Sequence, residues 1–302
     1  MKFSLMTEPQ MGGTYEQILA AARLAESEGL VSFARSDHLA WDEDRSPDAT
    51  EAFTTLAGLS RDTSTIRLCI LVTPITFRHP AIIAKGAATV DQMSGGRLDL
   101  GVGTGWNEFE HSALGIPFPE DAERWRRLEE ALGYLEAAFD PAGAGFSGEL
   151  YQLDLDVHPK PSGIRLIVGG SGPRRTPRLA GTRADEYNIF VCPPDEARAR
   201  IATMRQAAAG REVEATMMGP VTVAGSDGEL ADRLMEAARR RDITSDALIA
   251  RWEKAGVIYG TRSQVKEKIA AFQEAGVERL YLQWLDLSDR EGLGRMLELV
   301  RD

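Results

Sequence analysis

Short apolar runs alternate with amphipathic, helix-length segments from one end of this sequence to the other, and that regularity restricts its fold more than any other feature. Strands that are apolar on both sides need cover on both faces, and intervening helices supply it, so the pattern reads as a parallel α/β fold. Strand-like runs fall at residues 3–6, 31–34, 66–72, 97–102, 164–168, 186–192, 214–223 and 279–284. Helical spacing fills 15–28, 51–62, 80–93, 120–139, 173–183, 194–209, 229–255, 262–275 and 290–300. Gly29 follows the first helix as a C-terminal cap, Pro80 opens the third, and 140–163, rich in Gly, Pro and Asp, reads as a long irregular connection. Eight strands in strict alternation with helices predict a (β/α)8 TIM barrel made by the whole chain, 1–302, as one domain. An open, doubly wound sheet is the other arrangement compatible with this order.

In such a barrel, chemistry sits on the loops that follow the strands. The second strand leads into Ser36-Asp37-His38-Leu39-Ala40-Trp41, the third into Thr73-Pro74 and Arg78-His79-Pro80, and the fourth into Gly103-Thr104-Gly105-Trp106-Asn107-Glu108. The fifth leads into Gly169-Gly170-Ser171-Gly172-Pro173-Arg174-Arg175, and the eighth ends at Gln283-Trp284. Gly169 to Gly172, opening a helix, is either an anion site built on free backbone N–H groups or an ordinary turn; its place in the second half of the barrel favours the anion. His38 is the best placed residue for proton chemistry, with Asp37 to orient it; alternatively His38 simply packs beneath Trp41. His79, His111 and His158 fall at a helix entrance, in a loop and in the irregular stretch, and are weaker candidates.

Other chemistries lack their parts. No lysine falls at a strand end, no histidine or carboxylate set has metal-ligand spacing, and neither a Gly-x-Ser-x-Gly elbow nor a phosphate-binding Gly-x-x-x-x-Gly-Lys loop occurs, so an organic cofactor is expected and a metal is not. The net charge of −11 opposes nucleic acid and anionic membranes and leaves a small molecule as the expected substrate. No leader-like N-terminus and no apolar run of about 18 residues is present, which predicts a cytoplasmic protein. Cys69 and Cys192, each inside an apolar run, are expected as buried free thiols.

The block Arg78-His79-Pro80-Ala81 through Asp91-Gln92-Met93-Ser94-Gly95-Gly96-Arg97-Leu98-Asp99-Leu100-Gly101-Val102-Gly103 resembles the bacterial luciferase-like superfamily. The continuation Gly105-Trp106-Asn107-Glu108 and Glu110-His111-Ser112-Ala113-Leu114-Gly115-Ile116-Pro117-Phe118 is most similar to its deazaflavin-dependent branch. Ile167 to Gly172, Ala184-Asp185-Glu186-Tyr187-Asn188, Gly260 to Val265 and Ala275-Gly276-Val277 match the same pattern. The resemblance implies a luciferase-like (β/α)8 oxidoreductase holding coenzyme F420, or FMN, across the strand ends. It places Asp37 and His38 against the reactive ring, and Ile70 and Leu71 near a strand-three bulge that often carries a non-proline cis peptide. Thr73, Gly103, Thr104, Gly105 and Trp106 then line the ring and ribityl chain, while Gly169, Gly170, Ser171 and Gly172 form the phosphate turn. Trp106 stands where sugar-phosphate dehydrogenases of that branch carry an acidic proton donor, so the resemblance does not extend to activity on glucose 6-phosphate.

The reaction implied is hydride transfer between F420 and a small, largely apolar organic substrate, with Gln283 and Trp284 shaping its pocket. The alternatives are a two-component FMN monooxygenase, served by a flavin reductase and oxygen, and a flavin-binding barrel without turnover. Homodimers are common in the family, and helix 80–93 or 120–139 offers a face for one.

Overall fold

The computed structural model describes residues 1–41 and 49–298. In chain order the first half comprises β1 (Lys2–Thr7), α1 (Tyr15–Ser27), β2 (Ser32–Arg35), α2 (Ala52–Asp62), β3 (Arg67–Pro74), α3 (Pro80–Ser94), β4 (Leu98–Gly103), α4 (Glu108–Ala113) and α5 (Asp121–Phe139). There follow β5 (Phe146–Ser147), β6 (Gln152–Leu153), β7 (Arg165–Gly170), α6 (Arg175–Arg183), β8 (Glu186–Phe190), α7 (Pro194–Ala208) and β9 (Glu214–Ala224). The chain continues through α8 (Asp227–Arg239), α9 (Ser245–Ala255), β10 (Ile258–Thr261), α10 (Arg262–Glu274), β11 (Arg279–Trp284) and α11 (Arg290–Leu297).

Eight parallel strands close on themselves in the order β1-β2-β3-β4-β7-β8-β9-β11, with β11 pairing back to β1. An open doubly wound sheet is thereby excluded, and the expected (β/α)8 barrel stands. The helices cover its outside: β-strand residues such as Phe33, Leu68, Leu100 and Val168 are fully buried beneath them. Helix starts follow local chemistry. Thr14 and Gln17 form a reciprocal capping box on α1, and the His79 ring accepts from the Ala81 N–H at the head of α3, where Pro80 supplies a preset φ.

The structure departs from the sequence expectation in four places. Residues 140–163 include a short antiparallel pair, β5 with β6, whose turn is held by Glu130 accepting from the N–H groups of Leu150 and Glu149 at 2.8 and 3.2 Å. The helical run 229–255 is two helices, α8 and α9, parted by a turn in which Asp242 takes φ 51°. A ninth parallel strand, β10, extends the end of β9 outside the ring; four residues between two helices carry too little pattern to announce a strand. The six-residue α4 was missed for the same reason. The expected helix 290–300 is present as α11, and its last two residues lie outside the described residues.

β3 carries the distortion that shapes the barrel mouth. Its register against β4 runs Cys69 to Asp99 and Ile70 to Leu100, then slips so that Thr73 meets Val102, and the Leu71–Val72 peptide within the bulge is cis. A bulge re-aims side chains, and here it sends Val72 across the strand ends. A Cβ at Gly103 would lie 2.8 Å from Val72 Cγ2, and one at Gly169 would lie 3.0 Å from Val72 Cγ1. Gly101 is closed off as well, at 2.5 Å from the Ile70 carbonyl oxygen and 2.7 Å from Val72 Cγ1. The glycines of β4 and β7 therefore make room for one valine.

The lower barrel interior is ionic. Arg279 and Glu186, both fully buried, are hydrogen-bonded; Arg279 also reaches Glu214 at 3.1 Å, and Tyr281 donates to Glu186 at 2.9 Å. Burial pushes the Glu186 carboxyl up even against the neighbouring Arg279 charge. Cys69 and Cys192 are buried free thiols, as expected.

The Val72 wedge yields a double-mutant test. Gly103→Ala loses about 1–3 kcal/mol of unfolding free energy in urea titrations from overpacking, and less than half of that in a Val72→Ala background. An equal loss in both backgrounds contradicts the packing described.

Candidate active site

The mouth of the barrel is organised by carboxylates that the chain has buried and then paired. Asp37, two residues beyond β2, is 1% exposed. Arg78, in the loop after β3, meets it with both terminal nitrogens, Nη1 to Oδ2 at 2.5 Å and Nη2 to Oδ1 at 3.1 Å. The same guanidinium donates to Thr73 Oγ1 at 3.2 Å and to Glu51 Oε1 at 2.7 Å, just before α2. One arginine thus ties together the loops after β2 and β3 and the start of α2. Burial works against the Arg78 charge, but Asp37 and Glu51 outweigh it, and its pKa is raised.

Arg35 closes the same loop from inside. It is wholly buried and donates to Ser36 O, Thr50 O, Thr50 Oγ1 and Thr55 Oγ1 at 2.7–3.0 Å. Burial draws its pKa down to about 10.

His38 points the other way, toward α4. Its Nδ1–H donates to Glu110 Oε1 at 2.8 Å, while Glu110 Oε2 accepts from the backbone N–H of Leu39 at 3.0 Å and of Ala40 at 3.5 Å. Glu110 is 1% exposed, so one buried carboxylate fixes both the imidazole and the loop that bears it. Burial alone lowers the His38 pKa, but the hydrogen bond and charge of Glu110, with the charges of Glu8 and Asp37, reverse the balance and raise it. Nε2 is left without a hydrogen-bond partner among the described residues. The His38 ring stands edge-on to Trp106, centroids 5.3 Å apart, and to Trp41 at 6.3 Å, so the packing under Trp41 and the bond to Glu110 occur together.

A second chain of polar groups lies beside this one. Gln10 Nε2 and Gln283 Nε2 donate to the two oxygens of Glu8, each at 2.7 Å, and Ser36 Oγ donates to Gln10 Oε1 at 2.7 Å. Gln283, expected in a substrate pocket, is thus turned to Glu8, and the Trp284 indole N–H donates to Asp286 O at 2.6 Å.

The glycine positions fall in two places. Gly103, Thr104 and Gly105 lead from β4 to Trp106; Gly105 takes φ 79°, and a Cβ there would lie 3.0 Å from Thr76 Oγ1. His111 locks this loop, its Nδ1–H donating to Asn107 O and its Nε2 facing Thr76 Oγ1, each at 2.7 Å, between the rings of Phe77 and Phe118. Gly169 and Gly170 end β7, and Ser171 and Gly172 lead to α6. Gly170 takes φ 152°, a Cβ at Gly172 would lie 2.8 Å from Thr176 Oγ1, and Arg174 gives α6 no side-chain cap. Arg174 is exposed, and Arg175 lies over the Trp125 ring at 5.7 Å. Ile70 and Leu71 are buried in β3.

The structure joins Asp37 to Thr73 through Arg78 and Gly103 to Gly169 through Val72. It shows no hydrogen bond between the Gly170–Gly172 turn and the Asp37–His38 pair among the described residues. Sequence reasoning missed the roles of Arg78, Glu51, Glu8 and Glu110. Glu110 lies 72 residues from His38 on a helix too short to show a period, so the only signal was its closeness to the Trp106 loop. His158 is exposed beside Asp156, in keeping with its low standing as a candidate. Among the described residues no three or more His, Cys, Asp or Glu side chains group as metal ligands, and no helix is long and apolar enough to cross a membrane.

A family model described as luciferase-like monooxygenase matches residues 1–279. An F420-dependent glucose-6-phosphate dehydrogenase of Nakamurella multipartita is 34% identical over 167 residues, 54% of this chain and 48% of that protein; this chain thus spans about half that relative's length. The FMNH(2)-dependent dimethylsulfone monooxygenase of Pseudomonas fluorescens is 26% identical over 273 residues, 80% of this chain and 75% of that protein. Among solved structures, an F420-dependent secondary alcohol dehydrogenase in complex with an F420-acetone adduct superposes with a TM-score of 0.82 at 21% identity, covering 100% of this chain and 99% of that one.

Removing Arg78 alone strands a buried carboxylate. Arg78→Met is expected to lose about 3–5 kcal/mol in chemical denaturation, and Asp37→Asn in the same chain to recover part of it. If the double variant is as unstable as the single one, Asp37 is not what Arg78 neutralises.

Proposed function

The chain belongs to the luciferase-like monooxygenase family, and from that premise we propose that it is a deazaflavin-dependent oxidoreductase moving a hydride between coenzyme F420 and a small, largely apolar organic substrate. The observation that carries this reading is the His38–Glu110 pair at the strand ends, with Nε2 without a hydrogen-bond partner among the described residues. Burial opposes the His38 charge, but the hydrogen bond and charge of Glu110 outweigh it and raise its pKa, which favours the imidazolium, the form in which Nε2 carries a proton. His38 then donates that proton to an oxygen that becomes an alcohol, or accepts one in the reverse direction.

The residues fit a flat, phosphate-bearing cofactor. Trp41, His38 and Trp106 offer ring surfaces, and Arg78 offsets the charge of Asp37 where a polar ring edge would come near. Gly170, Ser171 and Gly172, with the N–H groups of an α6 that has no side-chain cap, suit a phosphate. Asp37, His38, Ile70, Leu71, Thr73, Gly103, Thr104, Gly105 and Trp106 form the ring side of this assignment, and Gly169 to Gly172 the phosphate side. Coenzyme F420, when bound, takes up or delivers a hydride at its C5 position. Glu110 and the Asp37–Arg78 pair hold the His38 loop in place.

The second reading keeps the fold and exchanges the cofactor for reduced FMN, with oxygen as co-substrate and a flavin reductase as partner. The Pseudomonas fluorescens relative, aligned over 80% of this chain, favours it. In either case we take residues 1–302 as one barrel domain, cytoplasmic and homodimeric.

Fluorescence titration with oxidised F420 and, separately, FMN distinguishes the two. Our reading expects the deazaflavin to bind at least about tenfold more tightly, a difference of about 1.4 kcal/mol. Tighter FMN binding with oxygen uptake in the presence of a flavin reductase moves the protein to the monooxygenases.

A further inference from the structure

The Ala184-Asp185-Glu186-Tyr187-Asn188 run is only half used by the barrel interior. Glu186 bonds to Arg279, and the Asn188 amide donates to Thr216 Oγ1 at 2.9 Å. Strand alternation turns Tyr187, between them, to the opposite face of the sheet, where it joins the core that includes Ala197 and Ile201 of α7. Tyr187 is fully buried, and its hydroxyl has no hydrogen-bond partner among the described residues. A buried phenol O–H ordinarily finds one.

α7 brings a second unmatched group. The side chain of Arg200, beside Ile201, is only 11% exposed. Its Nη2 donates to Glu196 at 2.9 Å, while Nε and Nη1 are buried without a partner among the described residues. Burial pushes the Tyr187 hydroxyl and the Cys192 thiol up, and the Arg200 charge opposes that shift at both, so the three side chains share one neighbourhood. Guanidinium N–H groups can only donate, and a protonated phenol beside them has its hydrogen to give. Glu196, the neighbouring carboxylate, is 58% exposed and already matched to Nη2. Leaving buried donors unmet costs about 1–3 kcal/mol each.

We propose that Arg200 and Tyr187 form a site for a small monatomic anion, chloride in the first instance, between β8 and α7. Such an ion accepts from every donor in the set and brings no proton of its own, and groups this enclosed suit it better than a phosphate ester. Bound there, it ties α7 to the strand beneath. Neither residue is among those assigned to the cofactor, so the site stands whether or not that assignment does.

Chlorine NMR line widths on the full chain test this. The wild type is expected to broaden the chloride signal saturably, and bromide to displace it. Tyr187→Phe weakens chloride about tenfold and Arg200→Met removes the saturable part, while Arg239→Met, at an exposed arginine of α8, leaves it unchanged. Each protein is also unfolded in urea, in sodium chloride and in sodium gluconate of equal ionic strength. The wild-type midpoint is expected to be higher in chloride, and the Tyr187→Phe and Arg200→Met midpoints to be the same in both salts. A cooperative transition in gluconate shows that a variant folds without the ion; should Arg200→Met not fold, Tyr187→Phe carries the test. No saturable broadening in the wild type, or a wild-type midpoint indifferent to chloride, overturns the proposal and gives the donors to buried water. Broadening equal in the wild type and in Tyr187→Phe also overturns it, as binding at surface arginines only.

Discussion

A carboxylate shut away at the mouth of a barrel must find a cation, and the way Asp37 finds one governs the surrounding architecture. The free-energy cost of burying it unpaired is several kcal/mol, so Arg78 cannot be a passive surface residue. Because the same guanidinium also holds Thr73 and Glu51, neutralising Asp37 fixes where the loops after β2 and β3 lie relative to α2. His38 is the next residue in that chain, and its position is therefore set before its own partner is considered. Glu110 then turns the ring and binds the backbone of Leu39, which completes a framework of charged, directional contacts around one imidazole nitrogen.

Packing below this framework works by a different rule. The bulge in β3 displaces Val72 over the strand ends, and Gly101, Gly103 and Gly169 are small because Val72 occupies the space their side chains would take. Gly103 falls where the family resemblance places the cofactor ring and Gly169 where it places the phosphate turn, so Val72 packs against both of these positions. The polar layer of Arg279, Glu186 and Tyr281 lies lower still, so apolar packing separates two ionic levels in one barrel.

Most of the barrel was readable from the sequence because each strand and helix repeats one periodic rule over many residues. Short elements defeated that reading: β10 and α4 have four and six residues, too few for a period to emerge. The site was half readable. Asp37 and His38 stood out by chemistry at a strand end, and the glycine turns by composition. Arg78, Glu51 and Glu110 did not, because a pairing between residues 27 to 72 positions apart is a property of closure, which no local pattern encodes. Glu8 was hidden in the same way, since Gln10 and Gln283 reach it from opposite ends of the chain.

The barrel mouth turns on the electrostatics of His38. Its folded-state pKa is raised, so the stability it contributes is fully present below its unfolded value of about 6.5 and is lost as pH rises through the folded value. The most direct test is to follow the His38 ring by NMR through a pH titration of the wild type and of Glu110→Gln. The predicted result is a wild-type midpoint above the ordinary histidine value that falls in the variant, where the lowering effect of burial is less opposed. A wild-type midpoint at or below the ordinary value, or one that Glu110→Gln leaves in place, contradicts the assignment of Glu110 as the group that charges His38.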